Sequence, residues 1–123
     1  MFFTASAYPE IRNLGFIVAL RRGADVIVQI DDDELVPEGY FERLVSLVTA
    51  HPDKQLFTAP YEKHGTIRIT NKDDIRSWPK FSSMDADMAR LEAASEPMET
   101  LFGFGGNMIV RRDFARRVYY PLG

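Results

Sequence analysis

The stretch Asp25-Val26-Ile27-Val28-Gln29-Ile30 runs directly into four consecutive carboxylates, Asp31-Asp32-Asp33-Glu34. The apolar part is rich in β-branched residues and shows little polar alternation, the pattern of a strand covered on both faces. A strand of that kind needs helices or further sheet above and below it, which points to a layered domain. The flanking segments supply the layers. Pro9 suits a first helical turn, and Ile11, Leu14, Ile17 and Val18 recur at helical spacing until Gly23 signals an end. After the carboxylates, Pro37 opens a second helical pattern with Tyr40, Phe41, Leu44, Val45, Leu47 and Val48 on one stripe, broken by His51-Pro52. Leu56 to Ala59 reads as the next strand.

This alternation of helix and strand predicts a mostly parallel sheet with flanking helices, because parallel neighbours require a crossover and a helix is the usual one. The rest of the chain is less regular. Thr66-Ile67-Arg68-Ile69-Thr70 alternates as a hairpin or edge strand would, and a short helical stretch covers Met84 to Ala94. Gly105-Gly106-Asn107 leads into a strand at Met108-Ile109-Val110, and Arg112 to Val118 reads as a short helix.

Composition narrows the functional classes. At 123 residues, 46% hydrophobic and 27% charged, the chain lies in the globular range and is one domain in size. The net charge of −3 gives no broad footprint for nucleic acid. Without cysteine there is no disulfide, thiolate metal site or cysteine nucleophile. The apolar run Gly15 to Leu20 is far too short for a membrane segment, and the opening residues lack a signal-peptide pattern, so a cytoplasmic location is expected.

The carboxylates carry the chemistry. In open α/β sheets, ligands bind beyond the carboxyl ends of strands, where Asp31 to Glu34 must lie. If the chain stays extended, Asp31 and Asp33 point to one side and Asp32 to the other. Two converging carboxylates suit Mg²⁺ or Mn²⁺ and leave positions open for water and phosphate oxygens. The bland reading is a solvated acidic turn ahead of a helix. Mutual repulsion at the end of a buried strand, which a cation would relieve, favours the metal. Asp85-Ala86-Asp87 has the same spacing but sits in a helical pattern, where positions two apart do not share a face, so it is assigned to the solvated surface.

Ile11-Arg12-Asn13-Leu14-Gly15-Phe16, then Gly23-Ala24-Asp25 and Val26 to Asp33 with Pro37, resembles the middle of GT-A type glycosyltransferases, which use nucleotide-sugar donors. The match covers roughly the first forty residues. Phe104-Gly105-Gly106-Asn107-Met108-Ile109-Val110 is similar to the glycine-containing strand on the acceptor side of such sites. The resemblance implies a GT-A-like (Rossmann-like) fold and transfer of a sugar from a nucleotide diphosphate donor, with Mn²⁺ or Mg²⁺, to a glycan, lipid or other small acceptor. It places Arg12, Asp31 and Asp32 on the donor, Asp31 and Asp33 on the metal, and Gly105, Gly106 and Asn107 on the acceptor. Arg12 has a solvent-facing helix charge as its plain alternative, and the two glycines a simple loop or bulge.

Members of that family also carry an upstream nucleotide-binding strand and a downstream carboxylate base, neither of which is present in this sequence. Residues 1–123 are therefore expected to be a partial catalytic domain, truncated at both ends, with the base beyond Gly123. Two other functions compete: a non-catalytic divalent-cation or carbohydrate-binding module, and a related nucleotidyltransferase. His51 and His64 lack metal-ligand spacing. Tyr61 and Trp78 are stacking candidates whose commoner role is packing. Arg111, Arg112, Arg116 and Arg117 could draw in diphosphate, but on a short helix such arginines are usually solvated.

Overall fold

A computed structural model describes residues 8–62, 65–67 and 79–118. The chain divides into two compact units, residues 59–104 and the remainder.

The first unit contains helix α1 (Tyr8–Arg21), strand β1 (Val26–Ile30), helix α2 (Tyr40–Ala50), strand β2 (Leu56–Thr58), strand β3 (Asn107–Arg111) and the short helix α4 (Arg112–Ala115). The sheet order is β1-β3-β2, and both pairings are antiparallel. Ile27 faces Val110 across the first ladder, and Phe57 faces Ile109 across the second. The mixed α/β class expected from the sequence is present, but the described sheet is not the mostly parallel one. A helical crossover fixes the relative direction of the strands it joins, not their adjacency. β1 and β2, joined through α2, do run the same way, since each is antiparallel to β3. β3 lies between them in the opposite sense, so no two neighbouring strands are parallel.

Alternation along the strands splits the core into two layers. On one face Ile27 and Val110 pack with Phe16 of α1 and Ala115 of α4, supported by Ala19, Leu20, Met108 and Phe114. On the other, Ile109 packs with Leu44 and Val48 of α2, supported by Val26, Val28, Tyr40 and Phe57. Covering β1 on both sides is what its mostly apolar sequence, broken only by Gln29, calls for. Each fully buried aliphatic side chain contributes roughly 1.5–3 kcal/mol relative to exposure. Both helices are apolar on more than one side. α1 buries Phe16 and leaves Ile11, Ile17 and Val18 exposed, while α2 leaves Phe41 and Val45 exposed. Gly23 ends α1 at a positive φ of 76°, as its position predicts, and Gly39 uses a φ of 73° to turn the chain into α2. α2 thus begins three residues later than Pro37 suggested.

The second unit holds helix α3 (Pro79–Ala93), longer at its start than the Met84–Ala94 expectation. Among the described residues of this unit Met88 and Phe104 are buried, and Phe104 meets Tyr61 and Phe102 edge to face. Glu92 accepts hydrogen bonds from the Thr66 hydroxyl and the Ile67 amide. Asp87 pairs with Arg90 one turn on. The strand expected at Thr66–Thr70 falls partly outside the described residues, as do His64 and Trp78. Among the described residues, no helix is long and apolar enough to cross a membrane.

Candidate functional site

The end of β1 and the start of β3 are neighbours because Ile30 is in register with Asn107. One step further, the Asp31 amide donates to the Gly106 carbonyl at 3.1 Å, which carries the ladder into the acidic segment. Two segments more than seventy residues apart in sequence, the carboxylates and the glycines, thereby share one edge of the first unit.

Beyond Asp31 the chain does not stay extended. The Glu34 amide donates to the Asp31 carbonyl at 3.3 Å, closing a turn with Asp32 and Asp33 at its corners. The strand-like alternation assumed for Asp31 and Asp33 therefore does not hold. Both corner residues are exposed, while Asp31 and Glu34 are half-buried. The turn has the shape of the plain reading, an acidic turn ahead of a helix, in keeping with aspartate's preference for turn positions.

The turn draws in Glu34, a residue without a role in the sequence reading. Burial raises its carboxyl above the ordinary glutamate range, and the charges of Asp31 and Asp33 raise it further, against opposing effects of Arg12 and the Asp31 backbone. A carboxyl whose pKa is higher in the folded state takes up a proton more readily folded than unfolded. Its contribution to stability therefore declines as pH rises through the folded value. Replacing Asp33 by Asn removes one of these charges. A carbon-detected NMR titration should then show the Glu34 pKa moving down toward the ordinary value, and an unchanged pKa would mean that Asp33 does not act on it.

Arg12 lies on α1 with its side chain only 12% exposed, so it is not the solvent-facing charge of the plain alternative. Nη2 donates to Asp31 Oδ1 at 2.5 Å, and Nη1 donates to the Gly105 carbonyl. One guanidinium therefore joins helix, acidic turn and glycine segment. The backbone of α1 is tied in as well, since Gln29 donates its amide to the Arg12 carbonyl at 3.2 Å.

On the glycine side, Gly105 is exposed, and a Cβ built there would meet nothing within 4 Å. Open space lies over it, although no close protein contact requires glycine at that position. Gly106 is buried. Asn107 is also buried, at 9% exposure, and its Oδ1 accepts the Tyr40 hydroxyl at 2.6 Å. Its backbone carbonyl accepts the Thr58 hydroxyl at 3.0 Å. Tyr40, read from sequence as a stripe residue of α2, is thus also a polar anchor. Burial raises the pKa of its hydroxyl, against the opposing effect of the bond to Asn107.

The arginines at the end of β3 turn inward to backbone carbonyls. Arg111 donates to the carbonyls of Val48, His51 and Lys54. Arg112 donates to those of Gly23 and Ala24 and to the Asp25 carboxylate. Both fasten helix ends to the sheet, whereas Arg116 and Arg117 are exposed.

Carboxylate oxygens are the right donors for a hard cation such as Mg²⁺ or Mn²⁺. Among the described residues, no three His, Cys, Asp or Glu side chains are grouped to hold a metal ion. Asp31 and Asp33 offer oxygen donors of that kind, but the described residues form no group that would hold the ion by protein ligands alone. No protein-family model, curated protein or solved structure matches this chain.

Proposed function

We propose that this chain carries the donor and metal side of a GT-A type glycosyltransferase, which moves a sugar from a nucleotide diphosphate to a glycan, lipid or other small acceptor in the cytoplasm. The observation that carries the reading is the Arg12 bridge between Asp31 and Gly105, because it joins three segments that the resemblance assigns to one site. Asp31 and Asp33 are the assigned metal ligands, with Asp32 and Arg12 on the donor. Gly105, Gly106 and Asn107 form the acceptor wall. The open space over Gly105 suits a sugar ring, whereas Asn107 acts there through its backbone and its bond to Tyr40. A GT-A-like sheet beyond the three described strands belongs to the same proposal.

When bound, Mn²⁺ or Mg²⁺ would neutralise charge developing on the departing diphosphate. The chain's own residues orient that group. Arg12 is a planar, permanently charged donor suited to phosphate oxygens, and Asp33 is exposed at the turn where a cation can reach it. Calorimetric titration with Mn²⁺ tests the assignment. The wild-type chain should bind, and Asp33→Ala should bind more weakly by on the order of tenfold or more, because affinity follows the charge of the ligand set. Equal binding by both proteins would remove the metal from the site.

A further inference from the structure

Arg12 and a divalent cation need the same carboxylate. The guanidinium lies 2.5 Å from Asp31 Oδ1, nearly buried, and is steadied by its second bond to the Gly105 carbonyl. A divalent ion approaching Asp31 meets a fixed positive charge that cannot be removed by deprotonation. It must share the carboxylate with that charge or displace it. A diphosphate changes the balance, because its oxygens accept from a guanidinium as well as a carboxylate does.

We propose that Arg12 is the resident counter-cation of the acidic turn, held by Asp31 when the site is empty and handed to the diphosphate when a cation arrives. This rests on the metal and donor reading above and adds a regulatory consequence to it. The cation alone binds weakly, and cation and nucleoside diphosphate bind cooperatively, each reducing the cost of the other. A second consequence follows from the Gly105 bond. When Arg12 changes partner, it loosens a tie to the glycine segment, so the donor's arrival is felt at Gly105. Arg112 makes a similar double contact, with the Asp25 carboxylate and the Gly23 and Ala24 carbonyls, but Asp25 lies at the start of β1, away from the acidic turn.

The test measures Mn²⁺ affinity by the electron paramagnetic resonance signal of free Mn²⁺, with and without saturating UDP as the probe diphosphate. Wild type, Arg12→Gln and Arg22→Gln are compared. Arg22 is an exposed arginine just past α1, so its replacement removes the same formal charge away from the turn. Arg12→Gln should raise the affinity for Mn²⁺ alone by about fivefold or more, the scale expected for removing a neighbouring positive charge. It should also shrink the enhancement given by UDP, while Arg22→Gln leaves both unchanged. If Arg12→Gln binds Mn²⁺ like wild type, the counter-cation role is overturned and the metal site stands. Equal gains from Arg12→Gln and Arg22→Gln overturn it too, because the effect would then be one of net charge. If no variant binds Mn²⁺, the metal reading and this inference fall together. Circular dichroism establishes that each variant is folded. Should Arg12→Gln unfold, NMR of the wild type reads the same competition. The Arg12 guanidinium resonances should shift when Mg²⁺ and UDP are added together, and resonances unmoved at saturation would overturn the proposal.

Discussion

Arg111→Ala should destabilise the first unit more than replacement of the exposed Arg116 or Arg117. The guanidinium donates at 2.6 Å to the Val48 carbonyl, at 2.9 Å to that of His51 and at 2.6 Å to that of Lys54. Val48 and His51 close the carboxyl end of α2, which carries no basic residue in its own last turn. Arg111 thus supplies from β3 the positive charge and the donors that a helix end usually finds locally. It also lies over the Phe57 ring at 5.9 Å. Losing charge-assisted bonds to carbonyls that remain partly out of water should cost about 2–4 kcal/mol. For a domain of this size that lowers the melting temperature by roughly 10 °C. Arg111→Lys keeps the charge but not the planar fork, so it should recover less than half of the loss. Arg116→Ala, at an exposed position, should stay within about 0.5 kcal/mol of wild type. Urea denaturation of the four proteins checks this. An Arg111→Ala midpoint equal to that of wild type would show that the three bonds are replaced by water without loss.

The same arginine shows where sequence reasoning stops. Hydrophobic periodicity located α1, β1, α2, β2 and β3, and Leu44 and Val48 of the α2 stripe are buried, but the α1 stripe is not the buried face, since Ile11, Ile17 and Val18 are exposed and Phe16 is buried. The identity of the neighbouring strand is not local. β3 lies nearly fifty residues after β2 and enters between two strands already joined by α2, and nothing in the spacing of either announces that insertion. Arg111 and Arg112 look like part of a solvated basic run until the strand end places them beside α2 and the loop after α1. The candidate site was legible in part. The resemblance assigns Arg12, Asp31 and the glycines to one site and the structure brings them together, whereas the polar roles of Glu34, Tyr40 and Thr58 depend on tertiary contacts that no local pattern announces. The shape of the turn was misjudged because strand alternation was extended past Ile30, where ladder pairing gives way to the bond from Glu34 to Asp31.

That turn alters the expected order of importance among the three aspartates. In an extended segment Asp32 would face a neighbouring layer, and its loss would act through stability. At the corner of a turn it is exposed, so Asp32→Asn should leave the melting temperature within about 2 °C of wild type, as for other surface replacements. Asp31→Asn removes the partner of a nearly buried guanidinium, and should cost roughly 1–3 kcal/mol of stability besides weakening donor binding. Asp33 has neither burden. It is exposed, and as the assigned metal ligand its contribution falls on the step in which the diphosphate leaves. Asp33→Asn should therefore reduce turnover most, on the order of 10²-fold, with little change in stability. The comparison measures turnover, donor affinity and melting temperature for each variant at saturating Mn²⁺. Stability and turnover separate the roles: Asp31→Asn should move both, Asp33→Asn turnover alone, and Asp32→Asn chiefly donor affinity. If Asp33→Asn kept wild-type turnover while Asp32→Asn abolished it at unchanged stability, the metal would belong to the other corner of the turn and the assignment of Asp33 would be wrong.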